Sequence, residues 1–188
     1  MQTLTAADTG ETRDLARGFP PVIAPGATVL ILGSLPGRRS IADKEYYAQP
    51  QNSFWRIMGA LVDAGPEVEY SRRLEFLAKA SIALWDVLAA GHRRGSLDSA
   101  IRRSSVVVND IAALLERHRS IEVVCFNGRT AESLYRGLVL PKLDAQSAAL
   151  PLHVLPSTSP AHAGVPFAIK LERWSFVLEH VPPLSRSS

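Results

Sequence analysis

Residues 29–37 read Val29-Leu30-Ile31-Leu32-Gly33-Ser34-Leu35-Pro36-Gly37, and the prediction of the fold starts from this stretch. Its first four residues are β-branched or leucine, which is typical of a strand buried on both faces of a sheet. The two glycines and the proline then end the strand in a turn, where the backbone can approach a ligand and expose its N–H groups. The stretch therefore predicts a buried strand that leads directly into a binding loop.

An aromatic segment follows this loop and reads Tyr46-Tyr47-Ala48-Gln49-Pro50-Gln51-Asn52-Ser53-Phe54-Trp55. Aromatic rings beside an amide suit a planar ligand better than a sugar or a peptide, so we interpret the segment as a pocket for a flipped nucleobase. The competing interpretation is structural. Asn52 is also a favoured helix N-cap residue, and Phe54 and Trp55 are equally suited to a core.

Short apolar runs alternate with longer helical patterns along the rest of the chain. We predict strands at residues 28–32, 82–87, 122–126 and 152–155, and helices at about 52–63, 70–80, 107–118, 129–138 and 168–180. This alternation favours an α/β fold with a central, mainly parallel four-stranded sheet and helices on both faces. We expect one domain over residues 21–181, with flexible segments at residues 1–20 and 182–188.

Polar or glycine-rich residues follow each of the four predicted strands. They are residues 33–37, Asp86, Asn127-Gly128 and residues 156–159. Ligands of parallel sheets bind at the carboxyl ends of the strands, so these residues are expected to share one site. The last loop carries three hydroxyls between prolines and ends near His162, which suits contact with DNA phosphates, although an ordinary serine-proline loop has the same composition.

The composition permits nucleic-acid binding and excludes several other functions. The formal net charge is +3, and three arginine pairs occur at residues 38–39, 93–94 and 102–103. Any one pair can be ordinary solvated surface, but Arg38-Arg39 adjoins the predicted binding loop. The single cysteine, Cys125, excludes an internal disulfide, a cysteine-based zinc site and an iron–sulfur cluster.

Neither a phosphate-binding loop of the Walker type nor a Gly-Xaa-Gly-Xaa-Xaa-Gly fingerprint is present, which excludes kinase-like and dinucleotide-binding functions. No apolar run approaches the roughly 20 residues that a membrane span needs. The opening residues show no apolar signal segment, so we expect a cytoplasmic protein, associated with the bacterial nucleoid in use.

Together, the motifs resemble the uracil-DNA glycosylase superfamily, and most closely its sixth family, the hypoxanthine-DNA (deoxyinosine) glycosylases. The matching segments are residues 31–37, 46–59, 82–88, 95–98, 126–128 and 155–163. The resemblance implies a three-layer α/β/α sandwich and a monofunctional enzyme that hydrolyses the N-glycosidic bond of a deaminated base in single- or double-stranded DNA. Uracil and hypoxanthine are the expected bases, with xanthine and 5-substituted uracils as further candidates. The resemblance implies no metal or redox cofactor, and our default expectation is a monomer.

The chain departs from the best-known uracil enzymes at their catalytic positions. Leu35 stands where they carry a water-activating Asp, Gly37 where they carry a Tyr, and Leu155 where they carry a His. The resemblance therefore moves the positioning of water to Asn52, while Gly37 leaves room for purines. Asp86 falls where the uracil-specific enzymes place an Asn that reads the base edge.

The remaining roles follow from the same resemblance. The backbone of residues 34–37 is expected to stabilise the departing base, Phe54 to stack on it, and Asp86 and Asn127 to bind it. The complete base-binding set is Ser34, Leu35, Pro36, Gly37, Phe54, Asp86 and Asn127. The DNA-binding set is Arg38, Arg39, Ser157, Thr158, Ser159 and His162, with His162 as a wedge in the duplex.

Two alternatives from other classes stay open at this point. Because the familiar Asp and His are missing, the chain could be a non-catalytic DNA-binding module on the same fold. It could also be a nucleoside or nucleotide N-glycosidase, which would use the ring pocket without the serine-rich loop. An assay for abasic sites in DNA separates these readings.

Overall fold

The computed structural model describes residues 15–183. The strands are β1 Leu15–Arg17, β2 Val29–Gly33, β3 Ile82–Asp86, β4 Leu88–His92, β5 Val107–Val108, β6 Val123–Asn127 and β7 Leu152–Leu155. The helices are α1 Arg38–Asp43, α2 Phe54–Val62, α3 Tyr70–Lys79, α4 Ile111–Arg117, α5 Arg129–Leu138, α6 Ala145–Ala148 and α7 Phe167–Trp174. Short 3-10 turns, among them Pro160–His162 and Ser175–His180, complete the described elements.

Four parallel strands form the central sheet in the order β3-β2-β6-β7, which confirms the predicted strands and their direction. Gly33 at the end of β2 pairs with Asp86 at the end of β3, and Asn127 of β6 pairs with Leu155 of β7. The register therefore aligns the carboxyl ends of all four strands at one edge of the sheet. The polar and glycine-rich residues that follow these strands are brought to that edge.

Helices cover both faces of this sheet, as expected for a three-layer α/β/α sandwich. Alternate strand residues point to opposite faces. On one face Leu30, Leu32 and Phe126 pack against α4 and α5, and on the other Val29, Ile31 and Cys125 pack with residues of α2, α3 and α7. Cys125 is fully buried, and its burial raises the pKa of the thiol to about 12.

A second, three-stranded antiparallel sheet in the order β1-β4-β5 was not predicted. Leu15–Arg17, which lies in the segment expected to be flexible, pairs with residues 90–92. The predicted helix over residues 107–118 is wrong in its first turn, because Val107 and Val108 form β5. The Asp110 carboxylate accepts a hydrogen bond from the N–H of Ala113 at 3.0 Å and starts α4 at Ile111 instead.

The expected flexible ends fall mostly outside the described residues, at residues 1–14 and 184–188. Across residues 15–183, no helix combines the length and the apolar character that a membrane crossing requires.

Candidate functional site

Tyr47 lies at the carboxyl edge of the sheet in a left-handed backbone conformation, with φ of 55°. Such a conformation is uncommon for an aromatic residue and is held here by its neighbours. Tyr46 donates its N–H to the Tyr70 hydroxyl at 3.0 Å, and Trp55 Nε1 donates to the Tyr46 carbonyl at 2.8 Å. The Ala48 N–H donates to Ser40 Oγ at 3.2 Å. These bonds on both sides fix the direction of the Tyr47 side chain.

The Tyr47 ring is stacked on Phe54, with ring centroids 4.1 Å apart and an interplanar angle of 25°. Phe54 is fully buried, and its ring also meets Trp55 and Trp174 edge-on. Other aromatic side chains therefore cover the Phe54 ring, which we expected to stack on a base. Tyr47, which was quoted in the motif but given no role, lies between Phe54 and the strand ends.

Asp86 and the Tyr47 hydroxyl meet at Gly33. A Cβ atom added to Gly33 would lie 2.3 Å from Asp86 Oδ1 and 3.1 Å from the Tyr47 hydroxyl, so only glycine leaves space for both groups. Tyr47 Oη and Asp86 Oδ2 are buried without a hydrogen-bond partner within residues 15–183. Buried polar atoms are nearly always paired in folded proteins, so two unpaired ones side by side indicate a ligand site.

Burial determines the protonation of both groups. It raises the pKa of the Asp86 carboxyl to about 8, with the charge of Asp98 adding to the rise and that of Arg93 opposing it. Burial also raises the pKa of the Tyr47 hydroxyl; the negative charge of Asp86 adds to this rise, and the side chain of Asn127 opposes it. At neutral pH the site therefore presents a neutral hydroxyl and a mostly protonated carboxyl, which can donate as well as accept.

Arg93 holds the loop that follows β2. Its side chain is buried, and it donates from Nη1 to the Leu35 carbonyl at 3.1 Å and from Nη2 to the Pro36 carbonyl. Asp98 Oδ1 lies 3.7 Å from Nη1 and accepts a hydrogen bond from Ser34 Oγ at 2.7 Å. The sequence did not predict this role for Arg93, because an arginine next to another arginine usually lies on the protein surface.

Leu35 and Gly37 contribute backbone to this loop. The Leu35 side chain is buried and packs in the core, near Gly91, so it lines the site with its peptide groups alone. A Cβ added to Gly37 would make an ordinary contact of 3.8 Å with Ser96. Gly37 therefore leaves open space at the loop and is not required by backbone strain.

Asn52 lies in the turn before α2. Its Oδ1 accepts a hydrogen bond from the N–H of Phe54 at 3.0 Å, so Asn52 caps the first turn of α2. The Nδ2 group has no acceptor within residues 15–183. The next residue, Ser53, donates its N–H to the Thr158 carbonyl at 3.0 Å, which places the Asn52 turn against the loop after β7.

Asn127 joins the ends of β6 and β7. Its Nδ2 donates to Thr158 Oγ1 at 2.8 Å, and its Oδ1 accepts from the Thr158 N–H at 2.9 Å. Both ends of the amide are thus engaged by Thr158, which is itself buried. This geometry does not support the expected phosphate contact of the Thr158 side chain. It also gives Asn127 a role in positioning Thr158, beside the base contact that the sequence predicts.

The other predicted DNA contacts surround this edge of the sheet. Arg38 and Arg39 are exposed at the start of α1, where Arg39 Nε pairs with Asp43 Oδ2 at 2.5 Å. Ser157 and Ser159 are half-buried, and their hydroxyls accept local backbone hydrogen bonds at 3.3 Å. His162 is exposed on the 3-10 turn Pro160–His162. Within residues 15–183, no group of three or more His, Cys, Asp or Glu side chains is arranged to hold a metal ion.

A parallel α/β sheet with a buried, ring-lined polar site at its carboxyl edge is typical of α/β proteins that bind a ligand at this edge. Residues 20–180 match the family model of the uracil DNA glycosylase superfamily. The chain belongs to this superfamily.

Two relatives called hypoxanthine DNA glycosylase are similar to this chain. The one from Methanosarcina acetivorans is 41% identical over 128 residues, which cover 66% of this chain and 80% of the relative. The one from Methanosarcina barkeri is 40% identical over 114 residues, covering 60% and 71% respectively. A solution NMR structure from M. acetivorans, provisionally described as a uracil DNA glycosylase, matches with a TM-score of 0.73 and 34% identity, covering 88% of this chain and 98% of the other.

Proposed function

We propose that this protein is a monofunctional DNA glycosylase that flips a deaminated base out of DNA, hydrolyses its N-glycosidic bond and leaves an abasic site. The observation that carries the proposal is a pair of buried polar atoms, Tyr47 Oη and Asp86 Oδ2, that have no hydrogen-bond partner among the described residues and lie at the carboxyl edge of the sheet. The two relatives named for hypoxanthine support hypoxanthine as a substrate, and the superfamily supports uracil.

Asp86 is the group that reads the base. Hypoxanthine and uracil both present a ring N–H beside a carbonyl oxygen. A protonated carboxyl donates to the carbonyl and accepts from the N–H, whereas an ionised carboxylate has no donor and repels the carbonyl oxygen. The raised pKa of Asp86, about 8, keeps the donor in place at neutral pH.

Tyr47 is the stacking surface for the flipped base, in place of the predicted Phe54. Its hydroxyl lies beside Asp86 at Gly33, while the Phe54 ring packs on its ring at a centroid distance of 4.1 Å. Stacking of a base on an aromatic side chain contributes about 1–3 kcal/mol. It offsets part of the cost of unstacking the nucleotide, which is a few kcal/mol and lowest for a mispaired base.

Asn52 orients the attacking water. The bond between C1′ and the base nitrogen breaks with its electron pair leaving on the base, and the water oxygen then bonds to C1′ of the oxocarbenium-like sugar. An amide cannot take a proton, so the water loses its proton to solvent after the attack, and the base anion gains one from solvent. The Nδ2 group of Asn52, which has no acceptor in the described part of the chain, contacts the water. The backbone of residues 34–37 contacts the departing base.

DNA contacts are proposed for the exposed Arg38, Arg39 and His162 and for the half-buried Ser157 and Ser159. Arginine, hydroxyl and backbone N–H groups provide most phosphate contacts in DNA complexes. A monomer remains our default expectation, and a cytoplasmic role at the nucleoid fits a DNA substrate.

A panel of oligonucleotides, each with one hypoxanthine, uracil, xanthine or 5-substituted uracil, tests the proposal. We expect strand cleavage only after alkali treatment, because the product is an abasic site. Asn52→Ala should lower the single-turnover rate at least about 100-fold while DNA affinity is retained. Gln51→Ala, a change at the exposed neighbouring amide, is the matched control and should leave the rate near that of the wild type.

The panel also separates the alternatives. Binding without any abasic product would mean a non-catalytic DNA-binding module. Release of base from free nucleosides but not from DNA would mean a nucleoside hydrolase. An unchanged rate for Asn52→Ala would remove the role given to Asn52.

A further inference from the structure

Arg93 is a buried cation that the mechanism above does not use. The residue is 3% exposed, and its Nε has no hydrogen-bond partner within residues 15–183. A buried guanidinium with an unpaired N–H costs stability, and replacing buried charges by apolar groups is often neutral or stabilising. Stability therefore gives little reason for an arginine at this position.

The contacts of Arg93 act on the peptide groups at the end of β2. Nη1 and Nη2 bind the carbonyls of two successive residues, Leu35 and Pro36. The Ser34 carbonyl is held separately by the N–H of Leu88 at 3.0 Å. Three consecutive carbonyls of the loop are thus directed to one side, toward Arg93 and β4.

The N–H groups of this loop are directed the other way. Because a planar trans peptide places its N–H opposite its carbonyl, the N–H of Gly37 points away from Arg93 and that of Leu35 points away from Leu88. Neither N–H has an acceptor within residues 15–183. Pro36 has no N–H, so these two are the donors that the segment from Leu35 to Gly37 offers to a ligand.

We propose that Arg93 is a positioning residue that fixes the loop of residues 35–37 and polarises the N–H of Gly37, through which the negative charge on the departing base is stabilised. A cation bound to a peptide carbonyl strengthens the N–H of the same peptide as a donor, since linked hydrogen bonds polarise one another. Arg93 thereby takes over, through the backbone, the role that a histidine at the position of Leu155 would have. The inference rests on the proposed glycosylase activity.

The test compares two leaving groups in otherwise identical oligonucleotides, uracil and the more acidic 5-fluorouracil. An anion that is already stable depends less on the protein for stabilisation. We expect Arg93→Met to lower the single-turnover excision of uracil about 100-fold, a loss typical of one oxyanion donor. Excision of 5-fluorouracil should fall at least about tenfold less than that of uracil, with DNA affinity unchanged for both.

Arg93→Lys and Arg94→Met complete the design. A lysine keeps the charge but cannot bridge two carbonyls as the planar guanidinium does, so the same imbalance between the two bases is expected at smaller size. Arg94 is exposed, and its substitution should change both rates by one common factor. Arg93→Lys also decides the question if Arg93→Met does not fold.

Equal losses on uracil and 5-fluorouracil in both Arg93 variants would overturn the inference, because a merely structural role lowers both rates alike. That result would leave the proposed function intact. Only a wild-type protein that excises none of hypoxanthine, uracil and 5-fluorouracil would contradict the glycosylase itself.

Discussion

At the scale of single residues, Asp86 connects the fold to its chemistry. The carboxyl fits beside β2 only because Gly33 has no Cβ, and its burial raises its pKa to about 8. The native state consequently binds a proton at Asp86 between about pH 4 and pH 8 that the unfolded chain has already lost. In this interval the native state holds more protons than the unfolded state. The contribution of Asp86 to the free energy of unfolding therefore falls as the pH rises.

Asp86→Asn should therefore change the pH profile of excision. In the wild type, the single-turnover rate on hypoxanthine should fall about tenfold per pH unit above about pH 8, as Asp86 ionises and loses its donor. An amide keeps a donor and an acceptor at every pH, so the variant should lack this alkaline fall. Ionisation of the substrate is common to both proteins and cancels in the ratio of their rates.

An independent control measures stability instead of catalysis. Chemical unfolding at several pH values measures the free energy of unfolding of both proteins. Between pH 5 and pH 7, the value for Asp86→Asn should rise relative to that of the wild type by up to about 1.4 kcal/mol per pH unit. Parallel pH profiles for the two proteins, in both rate and stability, would contradict a protonated Asp86.

At the scale of elements, the loops after β6 and β7 form one unit. Asn127 engages both the N–H and the hydroxyl of Thr158, and Ser53 donates to the Thr158 carbonyl, so the turn that carries Asn52 is attached to this unit. Gly128 is required there. Its φ is 93°, and a Cβ would lie 2.9 Å from that of Ser157.

Thr158→Val and Ser159→Ala distinguish positioning from phosphate contact. Valine keeps the shape of threonine but removes the acceptor of Asn127 Nδ2, so unfolding free energy should fall by about 1–3 kcal/mol and excision with it. Ser159→Ala should instead weaken DNA binding with a smaller effect on stability. Urea unfolding and DNA titration separate the two. If Thr158→Val keeps full stability but binds DNA more weakly, the predicted direct contact of Thr158 with a phosphate would be supported instead.

The same elements show what the sequence can predict. The strands of the parallel sheet and the helix at Arg129–Leu138 were predicted because apolar periodicity records burial on the sheet and helix faces. The sheet β1-β4-β5 was missed because Leu88-Ala89-Ala90-Gly91-His92 has neither alternation nor β-branched residues. Tyr47 was missed because its role depends on a left-handed backbone, and Arg93 because its burial depends on the carbonyls of a distant loop.

At the scale of the whole molecule, the mouth of the site lies between two segments from distant parts of the chain. His162 is exposed on the turn after β7. The half-buried Asp98, whose pKa burial raises, accepts a hydrogen bond from Ser34 Oγ on the other side. Leu97, beside Asp98, is 55% exposed. A net charge of +3 gives only modest general attraction to DNA, so placement of the duplex depends on local contacts at this mouth.

His162→Ala should accordingly impair duplex substrates more than single strands. A side chain inserted into the stack fills the space that the flipped base leaves, and a single strand has no partner strand to hold open. We expect single-turnover excision of hypoxanthine from duplex DNA to fall about tenfold, at roughly 1.4 kcal/mol of lost transition-state stabilisation, with little change on the single strand. His118→Ala is the control, because His118 follows α4 at the opposite edge of the sheet. Equal losses on both substrates would assign His162 to general DNA attraction, and raising the salt concentration would then remove the difference between the wild type and the variant.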